Sequence, residues 1–316
     1  PPYLWLEGAD AEEPLDGEVE ASGQARHGGG GFWRAGEIAP NFDFHKTLDR
    51  IVDEGRAFVE DHEREHPDQP FFLYLPLTAP HTPWLPDEAF RGVTDAGVYG
   101  DFAAMVDDRL GRLLATLDEL DLAGDTLVIF TSDNGPWLNY GDHAGTTGGL
   151  REGKGKAWEG GARVPCVMRL PGTIPAGAVS DRLVSTIDLL PTIAALTGAP
   201  LPVRGIDGLD QTPVLRDPDA EPVRREYWYY YGRDLCAVRA DHWKLVLPHE
   251  YRSYEGVEPG EDGFPGPYAK ARAELALYDL ASDPEETIDV AAEHPELVRE
   301  LQGLATEARA ELGDRI

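Results

Sequence analysis

The sequence is poor in the residues that staple or anchor a chain. Its 316 residues include two cysteines, Cys166 and Cys236. That number is too small for a disulfide framework, and their positions lack metal-site spacing, so the redox compartment stays open. No apolar run approaches the roughly 20 residues that cross a bilayer, which argues against helical membrane insertion of this stretch. Lysine is scarce, five among 28 basic residues, and those 28 face 58 acidic ones for a formal net charge of −30. A field of that sign opposes nucleic acid and anionic membranes, and an anionic ligand would need cations placed locally to hold it.

What is present is an α/β alternation. Residues 1–40 are Gly-rich, carry GGGG at 28–31, and read as loop. From Phe44 the apolar positions Leu48, Ile51, Val52, Phe58 and Val59 recur at helical spacing until Pro67 stops them. FFLYLPL (71–77) reads as a short strand covered on both faces, followed by the loop APHTPWLP. A second amphipathic helix is predicted from about Tyr99 to Leu120, then strands TLVIF (126–130) and VPCVMRL (164–170), then a helix in STIDLLPTIAALTG (185–198). That order predicts a parallel sheet with right-handed crossovers and ligands beyond the carboxyl ends of its strands. After residue 218 the texture changes to aromatic or alternating segments, a long loop (249–274) and a helix over about 295–312. This is the pattern of a small antiparallel sheet plus helix. The polar stretch RDPDAEPV divides the chain into a domain at 1–218 and a subdomain at 219–316.

Two familiar patterns fail on inspection. His62-Glu63-Arg64-Glu65-His66 spells H-E-x-x-H, but the helix ends at Pro67 among charges, which favours a solvated helix end over a zinc site. Gly148 to Lys154 matches a phosphate-binding loop until Gly155 stands where Ser or Thr should reach magnesium, and no strand leads in.

The remaining candidates are separate signals. LVIFTSDNGP (127–136) ends a strand on Asp133 and Asn134, which can be an ordinary turn or a pair of hard oxygen ligands for calcium or magnesium. His81 lies in PHTP and Lys154 between two glycines, positions that suit a surface loop as well as a ligand contact. Trp137, Tyr140 and His143 in PWLNYGDHAG could wall a sugar or aryl pocket or simply pack the loop. Arg151 could pair with substrate charge or with its own neighbours, and Glu159 in WEGG reads as a brace for its loop rather than an acid catalyst.

Taken in order and spacing, PHTPWLP, TLVIFTSDNGP, LREGKGKAWEGGARVP, LPGTIPAGAVSD and STIDLLPTIAALTGAPLP resemble the type I sulfatases of the arylsulfatase A and N-acetylgalactosamine-6-sulfatase kind. CAVRADHWKL and LYDLASDPEE resemble that family's smaller domain, so the likeness covers roughly residues 40–312. The resemblance implies an alkaline-phosphatase-like α/β fold and hydrolysis of a sulfate monoester of a carbohydrate or aryl compound. It implies Asp133 and Asn134 as calcium ligands, with magnesium possible, and His81 and Lys154 as catalytic contacts to the sulfate. His143, Arg151 and Trp137 become substrate-binding candidates. Periplasmic or secreted localisation is the family habit.

The family's formylglycine is made in a C/S-x-P-x-R segment, and this chain holds none. Cys166 is followed by Met168 and Leu170, Cys236 by Val238 and Ala240, and Ser282 by Pro284 but then Glu286. The upstream aspartate pair and the GKWHLG-like stretch are also missing, and PPYLWLEG resembles a segment that lies after them. The expectation is therefore the C-terminal portion of a sulfatase fold, truncated at its N-terminus, inactive alone and with exposed apolar edges on its strands. Two other readings stay open: a phosphatase or phosphonate hydrolase of the same superfamily, and a non-catalytic relative that binds sulfated glycan.

Overall fold

The computed structural model describes residues 2–23, 32–261 and 263–314. The GGGG run read as loop lies outside them. The chain divides into two compact units: one of residues 1–123, 137–146 and 254–269, the other of 124–136, 147–253 and 270–316.

The first unit begins with two short hairpin ladders, β1 (Leu6–Glu7) with β2 (Asp10–Ala11) and β3 (Gly17–Val19) with β4 (Gly36–Ile38). Its body is α1 (Thr47–Glu65) packed on α2 (Gly97–Glu119), both close to their expected spans. Leu48 and Val52 of α1 meet Phe102, Met105 and Val106 of α2 in one core that also takes in Ala79, Trp84, Tyr140 and Ala144. Each buried Leu, Val, Phe or Met side chain among them contributes about 1.5–3 kcal/mol relative to exposure. Arg109 of α2, only 3% exposed, reaches Asp49, Asp87 and Asp108, so one buried guanidinium joins both helices to the loop that follows His81.

The segment 71–77 departs from expectation: it is extended but forms no ladder among the described residues. Leu73 and Leu75 lie against Gly55 of α1, while Phe72 and Tyr74 point outward at 70% and 76% exposure. One face is packed and the other is open, so a run that looked doubly buried is buried on one side only.

In the second unit, β5 (Val128–Thr131) pairs with β6 (Cys166–Arg169) in antiparallel register, Val128 opposite Arg169 and Thr131 opposite Cys166. This corrects the parallel sheet expected from the sequence. Apolar periodicity marks a strand without giving its direction. Direction is set here by the excursion 132–165, which leaves the end of β5 and returns to the adjoining end of β6. That excursion includes α3 (Glu159–Ala162), and α4 (Leu189–Thr197) and α5 (Thr212–Arg216) follow β6.

Next come β7 (Glu226–Tyr231), β8 (Asp234–Ala240), β9 (Trp243–Val246), β10 (His249–Ser253), β11 (Ala269–Ala273) and β12 (Ala276–Asp279), then α6 (Pro295–Leu312). Four of them form an antiparallel sheet in the order β12-β9-β8-β7, as the alternating aromatic segments suggested, and β10 pairs with β11 inside the stretch read as loop. Strand alternation gives this sheet two working faces. Leu235, Leu245 and Leu277 pack on Leu301, Leu304 and Ala305 of α6. Tyr229, Ala237, Val246 and Tyr278 pack on Ala157 and Trp158, just before α3. No helix among the described residues is long and apolar enough to cross a membrane.

The same inner face carries Lys244, which is fully buried between Glu159 (3.1 Å) and Glu286 (2.7 Å). Burial alone would push the Glu159 carboxyl up, but Lys244, the Tyr229 hydroxyl at 2.7 Å, Arg163 and Arg239 bring it down to about 2. Removing Lys244 would leave the buried Glu286 carboxyl without its cation and take one of the cations from Glu159. Lys244→Met is therefore expected to cost about 3–5 kcal/mol in urea unfolding, while Lys270→Met on the exposed β11 changes stability by less than about 0.5 kcal/mol. A depressed carboxyl contributes stability above its unfolded value and loses it in acid. Unfolding followed from pH 4.5 down to about 2 should thus show a stability loss that Glu159→Gln flattens.

Candidate functional site

Three of the sequence signals meet within the second unit. Beyond Thr131 the Ser132 hydroxyl donates to the Asn134 carbonyl at 3.2 Å, which turns the chain sharply at the acid-amide doublet. The Asp133 carboxylate is exposed and Asn134 half-buried, and neither side chain has a hydrogen-bonding or ionic partner among the described residues. Next, the Gly135 amide donates to the Gly161 carbonyl at 3.1 Å, and the Lys154 amide donates to the Pro136 carbonyl at 2.8 Å. The Gly160 amide closes the set on the Arg151 carbonyl at 2.9 Å.

These contacts explain the glycines. A Cβ on Gly135 would collide with the Gly160 carbonyl oxygen, one on Gly160 with the carbonyls of Arg151 and Glu152, and one on Gly161 with that of Gly153. All these obstacles are backbone, which cannot rotate aside as a side chain can. SDNG, GKG and EGG are therefore one backbone cluster in which three chain segments approach closer than any side chain allows.

Arg151 and Glu159 face inward. The Arg151 guanidinium stacks 3.8 Å from the Trp158 ring centroid and donates to the Glu286 carbonyl (3.1 Å) and the Tyr278 hydroxyl (3.4 Å). Glu159 is 1% exposed, and its amide donates to Glu286 Oε2 at 2.7 Å, which is the bracing role its sequence context suggested. Lys156, which sequence reasoning passed over, is 9% exposed and donates from Nζ to the Lys154 carbonyl at 3.0 Å. The doubled lysine of GKGK was the available signal.

His81, Trp137 and His143 belong to the first unit. His81 is exposed, and its Nδ1 lies 2.8 Å from the Thr82 carbonyl oxygen. A carbonyl only accepts, so Nδ1 carries a proton. Nε2 is then an acceptor in neutral imidazole and a donor only in imidazolium. The Trp137 ring lies 6.1 Å from His81, and its indole N–H donates to the Tyr268 hydroxyl. His143 rests on Trp84 (5.6 Å) and against Gly97, whose φ of +60° disfavours a side chain. Trp84 is 6% exposed and donates to the Pro80 carbonyl at 3.1 Å, which ties the His81 loop to the helical core.

Among the described residues no group of three or more His, Cys, Asp or Glu side chains is arranged to hold a metal ion. Asp133 and Asn134 fit a hard cation as two oxygen donors with no competing partner, which is part of the six to eight that calcium takes.

The family model described as Sulfatase matches residues 32–199, and the model described as N-sulphoglucosamine sulphohydrolase, C-terminal, matches residues 154–258. Human arylsulfatase A is 34% identical over 78% of this chain and 51% of its own length. The N-acetylgalactosamine-6-O-sulfatase of Bacteroides thetaiotaomicron is 33% identical over 86% of this chain and 53% of its own. Among solved structures, the PsFucS1 sulfatase from Pseudoalteromonas sp. superposes with a TM-score of 0.75 at 25% identity, covering 89% of this chain and 56% of that one. The fold is thus the alkaline-phosphatase-like α/β fold, and the chain spans about half the length of the curated relatives it matches.

The glycine cluster can be tested without any ligand. Gly135→Ala is expected to destabilise by about 1–3 kcal/mol because its Cβ meets backbone, and to speed hydrogen exchange at the Lys154 amide. Gly111→Ala, in open space on α2, should stabilise by roughly 0.5–1 kcal/mol. Paired urea and exchange measurements decide it.

Proposed function

The chain belongs to the sulfatase family, and from that premise we propose that it supplies the sulfate-binding and leaving-group residues of a sulfuric ester hydrolase. The observation that carries this reading is the glycine-dependent contact of SDNG, GKG and EGG, which presents two unpartnered oxygen donors beside a loop lysine.

The family generally uses calcium and formylglycine. In this reading Asp133 and Asn134 hold part of a calcium shell. The ion, when bound, offsets negative charge on the nonbridging sulfate oxygens. Lys154 directs its ammonium at one of those oxygens, and the glycines on either side let its backbone approach closely. His81 donates a proton to the leaving oxygen through Nε2, since Nδ1 is already committed to the Thr82 carbonyl. It can do so only as imidazolium. Trp137 and His143 are the substrate-binding candidates of the first unit, the former with its ring beside the His81 imidazole. Arg151 holds the fold's own groups, and any substrate contact it makes is additional to them.

The residues present do not fit formylglycine, because no C/S-x-P-x-R segment occurs in the chain. The substrate is a small-molecule or oligosaccharide sulfate ester, a class to which the names of the relatives point.

The test is a chromogenic aryl sulfate assay with calcium. The chain alone is expected to give no turnover. A polypeptide that adds the signature segment ahead of it should turn over, with kcat/KM falling about 10²–10⁴-fold in His81→Ala and about 10²–10³-fold in Lys154→Ala. Turnover by the chain alone that either substitution abolishes would overturn the expectation that a further segment is needed, and an active longer polypeptide indifferent to both would refute the proposal.

A further inference from the structure

Lys156 carries a desolvation cost. An ammonium two residues past Lys154 is buried in a chain that has only five lysines, where a methionine would fill similar space without desolvating a charge. Its Nζ donates to the Lys154 carbonyl at 3.0 Å, while the Lys154 amide donates to the Pro136 carbonyl at 2.8 Å. Both peptide planes flanking Lys154 are therefore held, one by the SDNGP segment and one by Lys156. Gly153 and Gly155, the latter at φ +76°, impose little direction of their own, so these two bonds aim the Lys154 side chain.

We infer that Lys156 is a positioning residue for Lys154: its buried ammonium fixes the peptide plane that directs Lys154 toward an anionic oxygen and adds a second positive charge to the same loop. The inference rests on the reading of Lys154 as a sulfate contact. Its surroundings agree with it. Burial lowers the Lys156 ammonium to about 8, Glu152 works to raise it and Arg252 to lower it further. Glu152 is itself buried, held by a hydrogen bond from the Ser253 hydroxyl, and sits at φ +59°. At neutral pH Lys156 is thus charged, and a charge-assisted hydrogen bond is about twice as strong as a neutral one. Above pH 8 the bond weakens and the extra charge is lost.

Five lysines make the test direct: the chain is labelled with ¹³C-lysine, and Cε signals and amide exchange are followed with inorganic sulfate as the probe. In the native chain Lys156 should titrate near 8, and sulfate should shift the Lys154 signal. Lys156→Met is expected to speed exchange at the Lys154 amide about tenfold, the equivalent of one lost hydrogen bond, and to shrink the sulfate-induced shift. Lys156→Arg, which keeps a charged donor, should retain both. Lys154 exchange and signal unchanged in Lys156→Met overturn the inference. The Lys244 signal reports on the fold. If Lys156→Met displaces it, the native chain decides: Lys154 exchange, corrected for intrinsic pH dependence, accelerates above pH 8 if Lys156 positions the loop and stays flat if it does not. Should sulfate leave Lys154 untouched in the native chain, the sulfate-contact reading fails, and the exchange data still judge the positioning role.

Discussion

The backbone cluster that presents Asp133, Asn134 and Lys154 hangs on one buried ammonium. Lys244 holds Glu159 and Glu286 together, and the Glu159 amide donates to Glu286 in turn, so the first residue of α3 is fixed through its side chain and its backbone. Gly160 and Gly161 follow immediately. Their positions decide how close Gly135 and the Arg151–Gly153 segment can come. Loosening Glu159 would therefore reach the doublet and the lysine loop without touching either, because only backbone separates them. The C-terminal sheet is in this sense the foundation of the site rather than an appendage, since it is β9 that carries Lys244.

Why use charge in a place where apolar packing would be cheaper? A buried pair replaced by well-packed apolar side chains is often as stable or more so. Here the two acids respond in opposite senses. Burial raises both, yet Glu159 is brought down to about 2 by Lys244, Tyr229, Arg163 and Arg239, while Glu286 stays raised despite Lys244. The cations are concentrated on Glu159, the residue at the start of the EGG turn. Glu286 mainly accepts hydrogen bonds, from the Glu159 amide through its carboxylate and from Arg151 through its carbonyl. A carboxylate with several directed partners has one low-energy placement, whereas an aliphatic side chain would tolerate several. The arrangement exchanges some stability for a fixed turn.

The sequence made the helices and the C-terminal sheet legible because each has an amphipathic period that packing then used: α1, α2 and α6 fall close to their apolar stripes. Strand direction was not legible, since VIFT and CVMR look the same whichever way they pair, and the return path of residues 132–165 settled it. The run 71–77 misled for a different reason. Its composition suits a doubly covered strand, but among the described residues only its Leu73 and Leu75 side is covered. At the site, the close backbone approach at the glycines of SDNG and EGG was not read from the sequence, because it depends on three segments that meet only in the fold. Arg151 was open between substrate charge and its own neighbours; Trp158 lies in the same loop, whereas the partners Tyr278 and Glu286 lie far along the chain and could not be inferred from spacing. Lys156 was hidden by its neighbour: in GKGK nothing marks which lysine is buried.

Charge sets the last constraint on this site. With a formal net charge of −30, the chain as a whole repels a sulfate ester, and salt screens that repulsion over about 8 Å at physiological ionic strength. Attraction must then come from cations within a few ångströms, and a fully hydrated surface lysine provides little, because in water a unit pair at 4 Å is worth only about 1 kcal/mol. Desolvation changes that balance, since the same pair at an effective dielectric near 20 is worth about 4 kcal/mol. The chain places two of its five lysines in the GKGK loop, one half-buried and one nearly inaccessible, against a background that is otherwise acidic. Lysine scarcity and lysine burial thus act together: in a strongly acidic chain a lysine attracts an anion most where it is withdrawn from water and held in place.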